Sequence, residues 1–246
     1  MLSPELTSNL LLILIVFFSA VLQGVTGFGY SLIALPLLVL LLPPSIVTPF
    51  LILSSIAINI VLIYNLRTSI NYKIISPLIF PAIAGTPLGI ILLSAVPPYI
   101  IKFAAGIIIF FTALFLMRNY KFELKNKFLS NLIVGFSSGI LNGSTSMSGP
   151  PIILLFAANN EKKDSLKGNF ALFAVITNII AIAGFILTGG INEYILKISL
   201  INLPALLGGT YLGILLAKSI NEEAFRKMVL VFIMFTALFA VISSII

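Results

Sequence analysis

Residues 103–117, 166–187 and 228–246 each carry at most one charged side chain, and each approaches or reaches the length a membrane helix needs. Crossing ~30 Å of hydrocarbon takes roughly 20 apolar residues. Over all 246 residues, 60% are apolar and 9% are charged, where a soluble domain carries about 25% charge. A chain of this kind has more apolar surface than a water-soluble core can absorb, so it reads as an all-α polytopic protein of the lipid bilayer. The segment 1–22 has Glu5 as its only charge and no basic flank, so it reads as a retained segment and not a cleaved secretion signal. The net charge of +7 is spread between apolar runs and forms no patch, which sets nucleic acid aside as a partner. There is no cysteine and no histidine, so thiol, disulfide and imidazole-metal chemistry are excluded and no cofactor is expected.

The chain is internally duplicated. Gly24 and Pro36 correspond to Gly139 and Pro151 at an offset of 115, and Asn59 to Asn178 at 119. Pro81-Ala82 corresponds to Pro204-Ala205 at 123, and FTALF at 111–115 recurs at 235–239, an offset of 124. The offset grows only between apolar segments, the pattern of loop insertion. Two repeats follow, residues 1–120 and 121–246, together forming one membrane domain. Each has four apolar segments: 9–42, 46–66, 74–95 and 99–117 in the first, and 128–158, 166–187, 194–217 and 224–243 in the second. The first segment of each repeat is the anomaly. At ~1.5 Å per residue, residues 9–42 would form a rod of roughly 50 Å, too long for one span and short for two.

Positive charge discriminates between the two paths, because Lys and Arg collect in cytoplasmic loops. If the first segment crosses once, the fourteen basic residues divide evenly between the two sides. If it enters and returns in both repeats, Arg67, Lys73, Arg118, Lys121, Lys125, Lys127, Lys162, Lys163, Lys167, Lys218, Arg226 and Lys227 share one face. Only Lys102 and Lys197 then lie opposite, and both termini are extracytoplasmic. Each repeat has an odd number of crossings in this arrangement, so the second inserts upside down, the inverted-repeat plan of many secondary transporters. The expectation is 8–10 membrane segments, each repeat having a broken or re-entrant helical hairpin followed by three transmembrane helices.

The middle of the long segment reads Gln23-Gly-Val-Thr-Gly-Phe-Gly29 followed by Tyr30-Ser31, and its copy spans Ser137 to Pro151 with glycines, hydroxyls and Asn142. Each glycine weakens a helix by up to about 1 kcal/mol relative to alanine, so a helix should stop and restart in both places. Irregular backbone at membrane depth is tolerated where protein buries it or where it lines a cavity. A restarting helix presents N–H groups with positive partial charge, which attract anions. Two such tips would meet near the midplane. Candidate substrate-binding residues are therefore Gln23, Gly27, Phe28, Gly29 and Ser31 from the first break, and Asn142, Ser144, Thr145, Ser146 and Ser148 from the second.

Asn59 and Asn178 are further candidates, with an interhelical hydrogen bond and a site-lining role both open for each. Gly85, Gly89, Gly209 and Gly213 read as helix-packing positions, and Lys102 and Arg226 as interfacial snorkelling residues. The seven acids, Glu5, Glu123, Glu161, Asp164, Glu193, Glu222 and Glu223, all fall in loops or at segment ends. Without a mid-span carboxylate there is no evident proton relay or cation-holding charge. Intramembrane proteolysis, which would need paired aspartates or a metal-binding histidine motif, lacks its residues.

The run Gln23-Gly-Val-Thr-Gly-Phe-Gly-Tyr-Ser-Leu-Ile-Ala-Leu-Pro36, with its degenerate copy over 139–151 and the 81–89 and 204–213 stretches, resembles the sulfite exporter TauE/SafE family over nearly the whole chain. The resemblance implies a plasma-membrane permease for sulfite, sulfoacetate or a related small sulfur-containing or organic anion. The family's glycine-rich signature falls on Gly24, Gly27 and Gly29, and on Gly139 and Gly143. The second repeat departs from it, with Asn142 and Ser144 where the first has Gly27 and Gly29. The expected partners are a small anionic substrate and the bilayer, with a homodimer left open. The alternative function is a membrane assembly or accessory subunit without transport of its own.

Overall fold

The computed structural model describes residues 4–118, 126–159 and 161–219. Among them every regular element is helical: α1 (Pro4–Thr26), α2 (Tyr30–Leu38), α3 (Pro44–Leu66), α4 (Tyr72–Ala95), α5 (Pro98–Arg118), α6 (Lys127–Thr145), α7 (Gly149–Ala158), α8 (Lys163–Leu187) and α9 (Glu193–Leu216), with one 3-10 turn at Arg67–Ser69. The last expected segment, 224–243, lies outside the described residues, as do Lys121, Lys125, Arg226, Lys227 and the second FTALF.

Five of these helices are long and apolar enough to cross a membrane: Asn9–Thr26, Pro44–Ser69, Tyr72–Ala95, Lys163–Leu187 and Glu193–Leu216. Their outward faces carry large apolar side chains, among them Phe18, Phe80, Leu187 and Leu200, all more than 60% exposed. In water these would drive association. In hydrocarbon they match their solvent, and helix association then rests on close packing and interhelical polar contacts. The chain is a multi-pass membrane protein.

Both long first segments are broken. α1 stops at Thr26 and α2 restarts at Tyr30, in contact with α1; α6 stops at Thr145 and α7 restarts at Gly149, in contact with α6. Backbone sign changes explain the stops. Gly27 and Gly29 have φ of 83° and 111°, a left-handed region open to glycine, and Ser146 ends α6 at φ 60°. The structure corrects the offset of 115 read for these segments: Gly209 meets Phe17 O as Gly85 meets Phe136 O, and Gly213 meets Val21 O as Gly89 meets Ile140 O, so α1 corresponds to α6 at an offset of 119. At that offset the break at 27–29 falls on the break at 146–148, and Gln23 corresponds to Asn142 and Gly24 to Gly143.

Helix crossings are made where side chains are missing. A Cβ built on Gly85 would fall on the carbonyl oxygen of Phe136 and one on Gly89 on that of Ile140, which seats α4 against α6. On the other side, Gly209 meets Phe17 O and Gly213 meets Val21 O, seating α9 against α1. Gly24 and Gly139 take part in these same two crossings, against Thr210 and Ala82 respectively. The third crossing, α3 against α8, completes the centre. Of the positions where prolines interrupt helices, Pro36, Pro49, Pro77, Pro81, Pro87 and Pro204 all lie inside elements, as membrane helices with packed neighbours allow.

Candidate functional site

The two breaks touch. The hydroxyl oxygens of Ser31, in the first turn of α2, and Ser146, at the end of α6, lie 3.0 Å apart, and both residues are buried. Thr48 on α3 adds a second tie, donating to the Ser144 carbonyl at 3.1 Å. Phe28 packs between the large apolar cluster of α1 to α3 and the second cluster around Phe156 and Phe173.

Gln23 organises the first break. Its Nε2 donates to Asn59 Oδ1 at 2.9 Å and its Oε1 accepts the Tyr30 N–H at 3.0 Å, so one side chain links α3 to the start of α2. Asn59 in turn donates to the carbonyl and hydroxyl oxygens of Ser55. The interhelical bond that sequence allowed for Asn59 is thus present. Other amides of the break are also used: Gly27 N–H donates to Gln23 O at 2.7 Å and Phe28 N–H to Thr26 Oγ1 at 3.2 Å. The α2 backbone ladder begins with Ile33 N–H to Gly29 O, which leaves the N–H groups of Ser31 and Leu32 outside it, pointing from the helix start as any first-turn amides do.

The second break is built differently. Ser146 N–H donates to Asn142 O and Met147 N–H to Leu141 O, so these amides close α6 and do not project from a helix start. α7 opens with Gly149-Pro150-Pro151, and proline has no N–H to offer. Ser144 and Thr145 bond back to the carbonyls of Ile140 and Leu141, which is how a hydroxyl is satisfied mid-helix. The polar groups this leaves are side chains: Ser146 against Ser31, the buried Ser148, and Asn142, which is 1% exposed with neither amide atom in a hydrogen bond. Asn178 is buried on α8, and its Oδ1 has no partner, unlike its sequence counterpart Asn59.

Sequence reading missed one residue here. Lys167 counted as a loop cation, but α8 begins at Lys163 and carries Lys167 one turn inward to 6% exposure. Its ammonium donates to the carbonyl of Val25 in the last turn of α1, and its stem fills the space beside Gly27 that a side chain there would need. It is the one charged side chain buried among the described residues. Thr48 and Lys167 are 119 residues apart, and each ties α3 or α8 to the end of the opposite long helix, Thr48 to Ser144 O and Lys167 to Val25 O.

Comparison with curated proteins and with solved structures finds no match. The model of the family described as sulfite exporter TauE/SafE matches residues 12–240, which include both breaks and all nine helices in whole or in part. The chain therefore belongs to the TauE/SafE sulfite exporter family of membrane transporters.

Proposed function

We propose that this protein exports a small anion across the plasma membrane through a site held between the two broken segments, with the two halves arranged as inverted repeats. The observation that carries this reading is one packing pattern made twice: Gly85 meets Phe136 O and Gly89 meets Ile140 O as Gly209 meets Phe17 O and Gly213 meets Val21 O, with α4 and α9 related at an offset of 124 and α1 and α6 at 119. Two copies related by a two-fold axis repeat their contacts in this way, and the 3.0 Å contact between Ser31 and Ser146 brings the two breaks together between them. Inverted repeats place transport sites at such an axis, near the midplane and at discontinuous helices.

Charge favours an anion. Lys167 contributes the buried positive group beside the first break, and Ser31 and Leu32 contribute first-turn amides at the positive end of α2. The second break contributes hydroxyls and the Asn142 carboxamide. An interior-negative potential drives a monovalent anion outward by roughly 2.3 kcal/mol per 100 mV. Sulfite, sulfoacetate and related sulfur-containing or organic anions are the substrates this reading covers.

Efflux of sulfite from proteoliposomes containing the purified chain is the direct test, run with Asn142→Ala and Ser146→Ala alongside. The expected result is chain-dependent flux that falls in both variants. Flux that persists in both at the parental rate would remove the breaks from the pathway.

A further inference from the structure

One tie between the halves is made twice, with different chemistry. Thr48, near the start of α3, donates to the carbonyl of Ser144 at the end of α6. Lys167, near the start of α8, donates to the carbonyl of Val25 at the end of α1. The two donors are 119 residues apart and so are the two acceptors, which is the offset that the helix crossings show. A two-fold axis relating the halves therefore exchanges the two ties. In one the donor is a neutral hydroxyl, and in the other it is an ammonium.

A second position changes together with the donor. A Cβ on Gly27 would fall on the stem of Lys167, whereas the position matched to Gly27 carries the side chain of Ser146. Backbone conformation alone does not demand the glycine, since Ser146 holds a left-handed φ of 60° where Gly27 has 83°. The missing side chain at Gly27 makes room for a long cation in this half. Thr48 shows that a tie at this point needs no charge. An ionised group inside a membrane protein is costly to place, so a charge used where a hydroxyl suffices points to function.

An oxyanion competes for the ammonium as it cannot for the hydroxyl. Between an ammonium and an oxyanion two full charges attract, which a neutral carbonyl does not match. The Thr48 hydroxyl carries no charge and offers an anion one ordinary hydrogen bond. A ligand shifts a conformational equilibrium only by binding one state better than the other. The state in which Lys167 has turned from Val25 toward the first break is the one an anion binds better.

Resting on the exporter reading above, we infer that the tie between Lys167 and Val25 is a latch opened by the transported anion, which takes the ammonium from the Val25 carbonyl and frees the end of α1 from α8. The tie between Thr48 and Ser144 holds through the same step. Lys167 is then a positioning residue for the conformational change as well as a charge for the anion. In the inverted arrangement the start of α8, with Lys162 and Lys163, faces the cytoplasm, so anion arriving from inside opens the latch, the direction that export needs.

Because the chain has no cysteine, spin labels can be placed singly on Phe18→Cys in α1 and Asp164→Cys in α8, two exposed positions. Maleimide-linked labels serve, since sulfite does not cleave their thioether bond. Pulsed electron paramagnetic resonance in nanodiscs reads the distance from α1 to α8 with and without sulfite, beside sulfite efflux from proteoliposomes of the same labelled chain. With the rest of the chain parental, sulfite should lengthen the mean distance by about 2 Å or more, the scale of such rearrangements. Lys167→Met should show the longer distance without sulfite and no further change with it. Thr48→Val, which removes the other tie, should keep the lengthening. Sulfite efflux without any change in distance would overturn the latch and leave the exporter standing, and that measurement needs no variant at position 167 to fold. A sulfite response that persists in Lys167→Met, or is lost in Thr48→Val, would overturn it too. A labelled chain and a parental chain that both export no sulfite would overturn the exporter reading and the latch with it.

Discussion

Ser31 and Ser146 meet hydroxyl to hydroxyl at 3.0 Å, although one stands just inside a restarting helix and the other in a left-handed turn ending a different one. At the offset of 119 that the helix crossings show, Ser146 stands where the first break has Gly27, both with a left-handed backbone, and Ser31 corresponds to Pro150. The hydroxyl pair therefore joins different positions of two matched breaks, which makes it an informative place to perturb.

Ser146→Gly separates transport from stability. It removes the hydroxyl and at the same time relieves a left-handed backbone that costs an L residue roughly 1–2 kcal/mol. The variant should melt at or above the parental temperature while sulfite efflux drops. Calorimetry or a dye-based melt beside the flux assay checks both halves of the expectation.

Gln23→Leu should act on the fold. It strands Asn59 Oδ1 and the Tyr30 N–H, and an unsatisfied buried group costs about 1–3 kcal/mol. The melting temperature of detergent-solubilised protein should fall by several degrees. Asn178→Leu, which removes an oxygen already without a partner, should cost far less.

Glycines at the crossings should divide by what faces them. Gly85→Val and Gly209→Val force a side chain onto backbone atoms of the neighbouring helix, an overpacking that costs typically 1–3 kcal/mol and here has no side chain to move aside. Gly208→Ala meets nothing within 4 Å, and it should stabilise by up to about 1 kcal/mol through helix propensity alone. Melting curves of the three variants give the comparison.

Lys167→Met keeps the packed stem beside Gly27 and removes the charge. Anion efflux should fall by about ten-fold or more, the change expected for about 1.4 kcal/mol of lost electrostatic stabilisation. Lys167→Glu should abolish it. An efflux rate in Lys167→Met equal to the parental one would show that the buried charge serves the fold alone.

Much of the fold was legible because lipid enforces simple rules. Apolar runs of fixed length had to become helices, and observed bounds such as Pro44–Leu66, Tyr72–Ala95 and Glu193–Leu216 lie within a few residues of the hydropathy segments. The glycine-rich runs had to break, and they do so at 27–29 and 146–148. Gly85, Gly89, Gly209 and Gly213 were recognisable as packing positions from their spacing, since close helix approach needs an absent side chain.

What the sequence determined by itself was therefore the membrane class, the nine described helices to within their ends, and the existence of two breaks, all consequences of local composition and periodicity. The tertiary structure decided which polar groups are spent within the fold and which remain. Gln23 and Asn59 are consumed in one bridge, Ser144 and Thr145 bond back into their own helix, and Asn142 and Asn178 are left with unpaired atoms. It also carried Lys167 from a supposed loop to the first break. Pairing of this kind depends on which helices cross and at what height, and a hydrogen bond between residues 36 or 142 positions apart leaves no mark on the sequence around either of them.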